Sequence, residues 1–137
     1  MRKQMMQVGD TQNWERTFTD EDVRLFGRIS GDMGNHHILP DEQGRVMVHG
    51  LLTATLPTKI GGDLNFIAHD MSFEFVRPVF VGDTVRCEVT ITQLEKSENR
   101  LKMSAAVFCR NQQGKVVLTG HTAGFIREPQ LLSVGLH

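Results

Sequence analysis

The sequence predicts an α+β domain in which an antiparallel sheet curls around one central buried helix, and three features of the chain lead there. Residues 46–62 open with eleven residues that carry no charge, and Met47, Val48, Leu51, Leu52, Ala54 and Leu56 fall all around a 3.6-residue wheel. A helix that is apolar all round is a buried one, and at about fifteen residues this one is too short to span a bilayer. Downstream, four segments have strand character, with apolar and polar side chains alternating at a period of two, the pattern of a strand with one buried face. Short turns join these segments, which makes neighbouring strands antiparallel.

Taken in order, residues 8–18 read as an extended arm or weak strand anchored by Trp14 and Phe18. Thr19 then starts a helix. Its hydroxyl can cap free N–H groups, and Asp20, Glu21 and Asp22 suit the positive end of the helix dipole. Asp22 stands where a capping box uses Glu, so the box is expected to be imperfect. Val23, Leu25, Phe26 and Ile29 supply the apolar face, and Ser30-Gly31 ends the helix. Residues 32–44 form a loop by their Gly and Pro content. Within the central helix Pro57 lacks an N–H and is expected to kink it or end it early, and Gly61-Gly62 closes it.

Met71, Phe73 and Phe75 alternate with Ser72 and Glu74 on the next element, which Arg77-Pro78 breaks as on an edge strand or at a bulge. Gly82-Asp83 turns the chain. Val85, Cys87, Val89 and Ile91 share one face of the following strand, and after a turn at residues 96–99 so do Leu101, Met103, Ala105, Val107 and Cys109. Residues 111–114 turn again into a last strand over 116–126, and residues 128–137 read as a tail. No repeat, low-complexity tract or linker divides the chain. It reads as a single domain over residues 1–137 with its core at about 8–127.

The 137 residues fit the size of one domain. With 39% hydrophobic and 23% charged residues, the balance is that of a globular chain. A net charge of −1 recommends neither nucleic acid nor an anionic membrane as partner. The first ten residues hold two positive charges but no apolar run after them, so they do not form a secretory signal. Cys87 and Cys109 stand among apolar neighbours and read as reduced core thiols of a cytoplasmic protein.

Three groups of residues are candidates for chemistry. Asp32 and His37 are five residues apart in the loop, with Asn35 and His36 between them. A carboxylate and an imidazole converging in a cleft can hold a water and move protons at neutral pH, although Asp, Asn and Gly are also ordinary turn formers. His49-Gly50 lies at the mouth of the buried helix, where unpaired N–H groups suit a developing oxyanion and Gly allows close approach. An equal reading is that His49 caps or packs there and Gly50 permits a tight entry. A metal is the weakest of the three. His36 and His37 are adjacent, His69 and His121 stand singly, and no His or Cys set has zinc spacing. No phosphate-cradling Gly-rich loop, nucleophile elbow or reactive-Cys context occurs.

Together these pieces resemble the MaoC-like hydratases, hot-dog-fold proteins of the (R)-specific enoyl-CoA hydratase type, over roughly residues 16–127. Phe18-Thr-Asp-Glu-Asp-Val23 is similar to the family's opening helix, and Ile29-Ser-Gly-Asp32 to the entry of its catalytic loop. His37 follows Asp32 at the family's Asp-to-His spacing. Val48-His49-Gly50-Leu51 resembles the start of its central helix, with Thr55 in the place of an active-site serine. Phe75-Val-Arg77-Pro78-Val79-Phe-Val-Gly82-Asp83-Thr84 resembles the strand and turn that follow. The chain departs from the family in two places. The usual loop reads Asp-x-Asn-Pro-x-His, whereas here Asp32-Met-Gly-Asn-His-His37 displaces Asn35 by one residue and lacks the proline, which opens the option of His36 serving in place of His37. The connection from His37 to His49 is also shorter, so part of the helix lining the acyl pocket is expected to be absent and the pocket more open.

The resemblance implies an acyl-thioester hydratase/dehydratase. Asp32 and His37 would add water to a trans-2-enoyl-CoA, or to a carrier-linked enoyl thioester, giving the (R)-3-hydroxyacyl thioester. The helix start at Gly50 would stabilise the oxyanion. Asn35, His36, His49, Leu51 and Thr55 would line the substrate, Thr55 by bonding the loop unless it is simply a core threonine. Arg45, Lys59 and Arg77 are candidates for the phosphates of coenzyme A. No cofactor or metal is implied. Dimers are the family's habit, so a homodimer or higher homo-oligomer is expected, which would also protect sheet edges. Two other readings stand beside this one. A hot-dog thioesterase would need a carboxylate on the central helix, and residues 46–60 contain neither Asp nor Glu. A non-catalytic acyl-thioester-binding subunit is favoured by the altered loop and opposed by the retained Asp32 and His37.

Overall fold

The period-two pattern in the second half of the chain becomes four antiparallel strands, and the arm before Phe18 adds a fifth. The computed structural model describes residues 6–127. The elements in chain order are β1 (Thr11–Thr17), α1 (Asp20–Ser30), α2 (Asn35–Ile38), α3 (Gly50–Thr53), α4 (Thr55–Asp63), β2 (Ile67–Phe75), β3 (Thr84–Ser97), β4 (Arg100–Arg110) and β5 (Val116–Arg127). The strands lie in the order β1-β3-β4-β5-β2, every neighbour antiparallel.

The inward faces of β3 and β4 are those read from the sequence, with Val85, Cys87, Val89, Ile91, Met103, Ala105, Val107 and Cys109 buried. Leu52, Leu56 and Ile60 join them in one core, each such side chain contributing about 1.5–3 kcal/mol on burial. Cys87 and Cys109 pair across β3 and β4 as free buried thiols. The hydrogen bond that the Cys87 thiol donates to Cys109, together with burial, pushes the Cys87 thiol up, so this pair packs rather than reacts. On β5, a Cβ at Gly120 or Gly124 would collide with the Ser72 or Ile67 carbonyl, so the close approach of β2 depends on glycine there.

The central helix differs from the expectation in four respects. Residues 46–48 are not helical: Met47 bridges Phe80, and Val48 N–H donates to the Val79 carbonyl at 2.7 Å. The break falls at Ala54 rather than at Pro57, which is the third residue of α4. In a continuous helix the Pro57 ring would meet the Thr53 carbonyl, whereas in the first turn of a new helix the missing N–H has no helical partner to lose. Gly61 and Gly62 continue α4 to Asp63, and Asn65 with φ 58° turns the chain out. The helix is also not buried all round, since Leu51 is 65% exposed and Thr58 and Lys59 face outward.

On α1, Val23 and Gly27 are buried, whereas Leu25 and Ile29 are exposed. At about 100° per residue, positions 25 and 29 lie opposite the stripe of 23, 26 and 27, so the expected apolar face divides. Phe18 anchors β1 in the core, but Trp14 does not: it stays at the surface under the Lys59 ammonium, 4.2 Å from its ring centroid. The loop after α1 contains one helical turn, α2, where none was expected. Residues 128–137, read as a tail, lie outside the described residues. Among those described, no helix is long and apolar enough to cross a membrane.

The capping box of α1 is complete, contrary to expectation, because Asp22, though one methylene shorter than Glu, still reaches the Thr19 N–H. Thr19 Oγ1 accepts from Asp22 N–H at 3.1 Å, and Asp22 Oδ2 accepts from Thr19 N–H at 2.9 Å. Arg16 Nη2 adds a 2.6 Å bond to Asp22. Burial pushes the Asp22 carboxyl up, but the Thr19 N–H, the Arg16 guanidinium and the Thr19 hydroxyl outweigh it and hold it below the usual carboxylate range. A carboxyl depressed in the folded chain contributes stability above its unfolded value, near 3.9, and loses it as pH falls through the folded value. Asp22→Asn is therefore expected to unfold at lower denaturant than the wild type at neutral pH, with the gap closing below about pH 4. A gap that persists unchanged into acid would show that the charge contributes nothing.

Candidate active site

Ser30-Gly31 stops α1 with Gly31 in the left-handed region at φ 79°, and that turn delivers Asp32 to the mouth of the loop. Two short-range bonds hold it there. Asp32 N–H donates to Ser30 Oγ at 3.0 Å, and Gly34 N–H donates to Asp32 Oδ1 at 3.2 Å. The single turn of α2 then carries the chain round so that His37 points back towards Asp32. His37 Nε2 lies 3.6 Å from Asp32 Oδ2, the carboxylate more than half exposed and the imidazole nearly covered. At that separation the two groups do not saturate one another, and both can reach a third atom between them.

The other ring nitrogen of His37 is committed. Nδ1 lies 2.7 Å from the Met47 carbonyl, and a carbonyl oxygen has no proton to give, so Nδ1–H donates. In the neutral ring the Nε2 lone pair therefore faces Asp32. The Met47 N–H in turn donates to the His36 carbonyl at 2.9 Å. This pair of bonds fixes α2 against residues 46–48, themselves stitched to residues 79–81. Beneath His37 lies His49, its ring stacked at 3.7 Å and 17°. His49 is buried, and its Nε2–H donates to the Asp32 carbonyl at 2.9 Å.

Gly50 follows His49 and opens α3. The Leu52 and Thr53 N–H groups both donate to the His49 carbonyl at 3.1 Å, which leaves the first N–H groups of the helix, at Gly50 and Leu51, without an acceptor among the described residues. A cavity of about 240 Å³ opens beside Gly50, lined by Met47, Thr53, Phe75, Arg77 and Pro78 among others. A second cavity, of about 280 Å³ and almost wholly apolar, lies between α4 and the sheet, with Ile60, Leu64, Phe66, Met71 and Phe73 in its wall.

The structure thus gathers Asp32, His37, His49 and Gly50, and leaves the other candidates elsewhere. Asn35 and His36 are exposed at the start of α2. His36 touches the outer side of His37, with ring centroids 3.9 Å apart, and it is His37 that meets Asp32. Leu51 points outward. Thr55 does not reach the loop, because its Oγ1 donates to the Leu52 carbonyl at 2.5 Å across the helix break. His49, expected to line the substrate, is instead sealed beneath His37. The three cations expected to meet phosphate are all engaged within the chain: Arg45 with Asp41, Lys59 with Asp63, and Arg77 with the Val116 carbonyl.

Three contributors carry no signal in the sequence that would mark them. Phe26 packs on His49 with centroids 4.9 Å apart, the Met47 carbonyl fixes the His37 tautomer, and the Phe75 ring covers Gly50. Asp32, His37 and His49 each place one ligand-type atom within 4.8 Å of the others. Ring lone pairs lie in the ring plane, however, and two nearly parallel stacked imidazoles cannot aim theirs at one ion about 2.0–2.1 Å from each. The cluster is a hydrogen-bonded stack and does not fit a metal.

Comparison with known proteins relates the chain as a whole to acyl-thioester enzymes. The model of the thioesterase superfamily matches residues 44–119. An (R)-specific enoyl-CoA hydratase of Aeromonas caviae is 30% identical over 129 residues, covering 88% of this chain and 95% of the relative. A mitochondrial 3-hydroxyacyl-[acyl-carrier-protein] dehydratase of Arabidopsis thaliana is 24% identical over 138 residues, covering 95% and 83%. The solved structure of the (R)-hydratase from A. caviae superposes with a TM-score of 0.81 at 28% identity, covering 90% of this chain and 98% of that one.

Proposed function

We propose that Asp32, His37 and Gly50 perform the chemistry of this chain, which belongs to the thioesterase superfamily of hot-dog domains and, within it, to the MaoC-like hydratases of the (R)-specific enoyl-CoA hydratase type. It is an enzyme, a hydratase/dehydratase of acyl thioesters. The observation that carries the assignment of residues is the 3.6 Å gap between His37 Nε2 and Asp32 Oδ2, with His37 Nδ1 already spent on the Met47 carbonyl.

A water held between the two groups attacks C3 of a trans-2-enoyl thioester and loses a proton to the pair. The electron pair of the C2–C3 double bond moves towards the thioester carbonyl, whose oxygen becomes enolate-like. The free N–H groups at Gly50 and Leu51 supply the donors for that oxygen, a contribution of about 2.7–4 kcal/mol for one good donor. The proton then goes to C2, so that the elements of water are added and no cofactor is consumed. Asp32 and His37 act as a coupled pair, and the two proton transfers belong to the pair.

The apolar cavity under α4 is the room available to the acyl chain, in keeping with the mostly apolar lining of ligand sites. The altered spacing of Asn35 and the missing proline leave the Asp32–His37 geometry in place, which favours catalysis over a binding-only subunit. Residues 46–60 offer no carboxylate for a thioesterase, and Asp63, at the end of α4, is paired with Lys59. The expected partner is a second copy of the chain. β2 is a terminal strand with Met71 and Phe75 exposed, an edge that symmetric pairing would cover.

The test is hydration of crotonyl-CoA by the purified protein, followed as loss of the enoyl-thioester absorbance, with product stereochemistry and free thiol measured in parallel. The expected result is (R)-3-hydroxybutyryl-CoA without free thiol. Thiol release without hydration would move the assignment to a thioesterase. Silence in both, across short and medium acyl chains, would make the chain a binding subunit.

A further inference from the structure

We infer that His49 is a positioning residue that holds Asp32 and His37 in register, and that it does so as a neutral imidazole with its proton on Nε2; this rests on the hydration chemistry proposed above. The argument begins with the proton. His49 is 2% exposed, and its Nε2 lies 2.9 Å from the Asp32 carbonyl, an acceptor only, so the ring donates there. Nδ1 is buried without any hydrogen-bond partner. A proton on Nδ1 would create a buried imidazolium with a stranded donor, which costs far more than a bare lone pair. Nδ1 is therefore unprotonated and the ring carries no charge.

An orphaned lone pair in the core is itself a cost, and a phenyl ring would avoid it. A glutamine would offer the N–H without a ring. Neither supplies both things the imidazole does here. The N–H binds the backbone of Asp32 from below, while the flat face supports the His37 ring at 3.7 Å and 17°. Phe26 packs on His49 in turn. The same residue's carbonyl takes the first two bonds of α3, which fixes where the Gly50 N–H points. One buried side chain and its peptide thus touch all three parts of the site without facing the substrate. Positioning of this kind is sensitive, since a displacement of about 1 Å can cost about 10² in rate.

Two variants separate the functions of the ring. His49→Phe keeps the stack and removes the donor; His49→Gln keeps a donor and removes the stack. Both are expected to fold, with kcat reduced about 10- to 100-fold and KM within about twofold of wild type. His49→Gln, which restores the N–H, should lie between His49→Phe and the wild type. A residue that only fills the core would lower the unfolding midpoint and leave kcat of the folded enzyme unchanged.

Imidazole nitrogen NMR gives an arm that needs no substrate. In the wild type His49 should show the neutral Nε2–H form, and in His49→Phe the His37 ring and the Asp32 amide signals should move. A charged or Nδ1–H His49, or kcat unchanged in both variants, would overturn the inference. If the wild type hydrates no enoyl thioester, the functional reading fails on its own, and the NMR arm decides the matter: the expected tautomer with displaced His37 signals supports the positioning role, and their absence removes it.

Discussion

Asp32→Asn and His37→Ala are each expected to lower turnover by at least about 10², the low end for a positioned general acid–base group, with the fold retained. The fold should survive because Asp32 is exposed and its carboxylate accepts only the Gly34 N–H of its own turn, with His37 Nε2 3.6 Å away on its other side. The two variants are not equivalent in what they leave behind. Asp32→Asn keeps an oxygen that can still accept from Gly34, so the loop stays in shape and only the charge is lost. His37→Ala removes the bond to the Met47 carbonyl as well as one member of the pair, and leaves the His49 ring uncovered. Its unfolding midpoint should therefore fall further than that of Asp32→Asn. Because the pair acts as a unit, the double variant should be little worse than the more damaged single one. Steady-state hydration of crotonyl-CoA, with circular dichroism on the same preparations, reads both quantities. Near-wild-type turnover in both single variants would eliminate the pair as the catalytic machinery.

The five-residue spacing of Asp32 and His37 is also that of an ordinary turn, and only the family resemblance singles the two out; the sheet, by contrast, is legible in its alternation. Strict alternation at Val85, Cys87, Val89 and Ile91 admits only one inward face, because a one-residue slip would turn every apolar side chain to solvent. The start of the central helix was harder to read. Val46, Met47 and Val48 extend the apolar run of the helix, yet a short apolar run is equally that of a buried extended segment. The bridge from Met47 to Phe80 decides it, and that partner lies more than thirty residues away. Pro57 did signal a break, but its effect falls on the peptide four residues earlier, at the Thr53 carbonyl, and so the kink appears at Ala54. In the site, the decisive atoms missed were backbone or packing atoms. The Met47 carbonyl has no side-chain signature, and nothing in the identity of Phe26 or Phe75 distinguishes a ring that supports the site from one in the core. His49 admits two equal readings in the sequence, a residue that lines the substrate beside Gly50 and one that packs at the helix start, and its burial beneath His37 agrees with the second.

Gly50→Val is expected to reduce turnover by about 10²–10³, the loss typical of removing an oxyanion donor, while leaving a folded protein. Gly50 does not occupy the left-handed region, so a side chain there is not strained by the backbone. What it meets is Phe75. An added Cβ would stand 2.9 Å from Phe75 Cε1 and 3.0 Å from Cδ1, but that ring is 49% exposed and can swing away. The stability penalty should therefore stay near the lower end of the 1–3 kcal/mol usual for overpacking. The isopropyl group would still lie over the mouth of α3, where the Gly50 and Leu51 N–H groups must meet a substrate oxygen. A double variant distinguishes the two effects. If the damage comes from the displaced ring, Phe75→Ala in the Gly50→Val background should restore turnover; if it comes from covering the donors, turnover should remain low while the unfolding midpoint recovers. The second outcome is expected. A Gly50→Val enzyme that turns over at the wild-type rate would take the helix start out of the mechanism and leave the enolate oxygen to be stabilised by some other group.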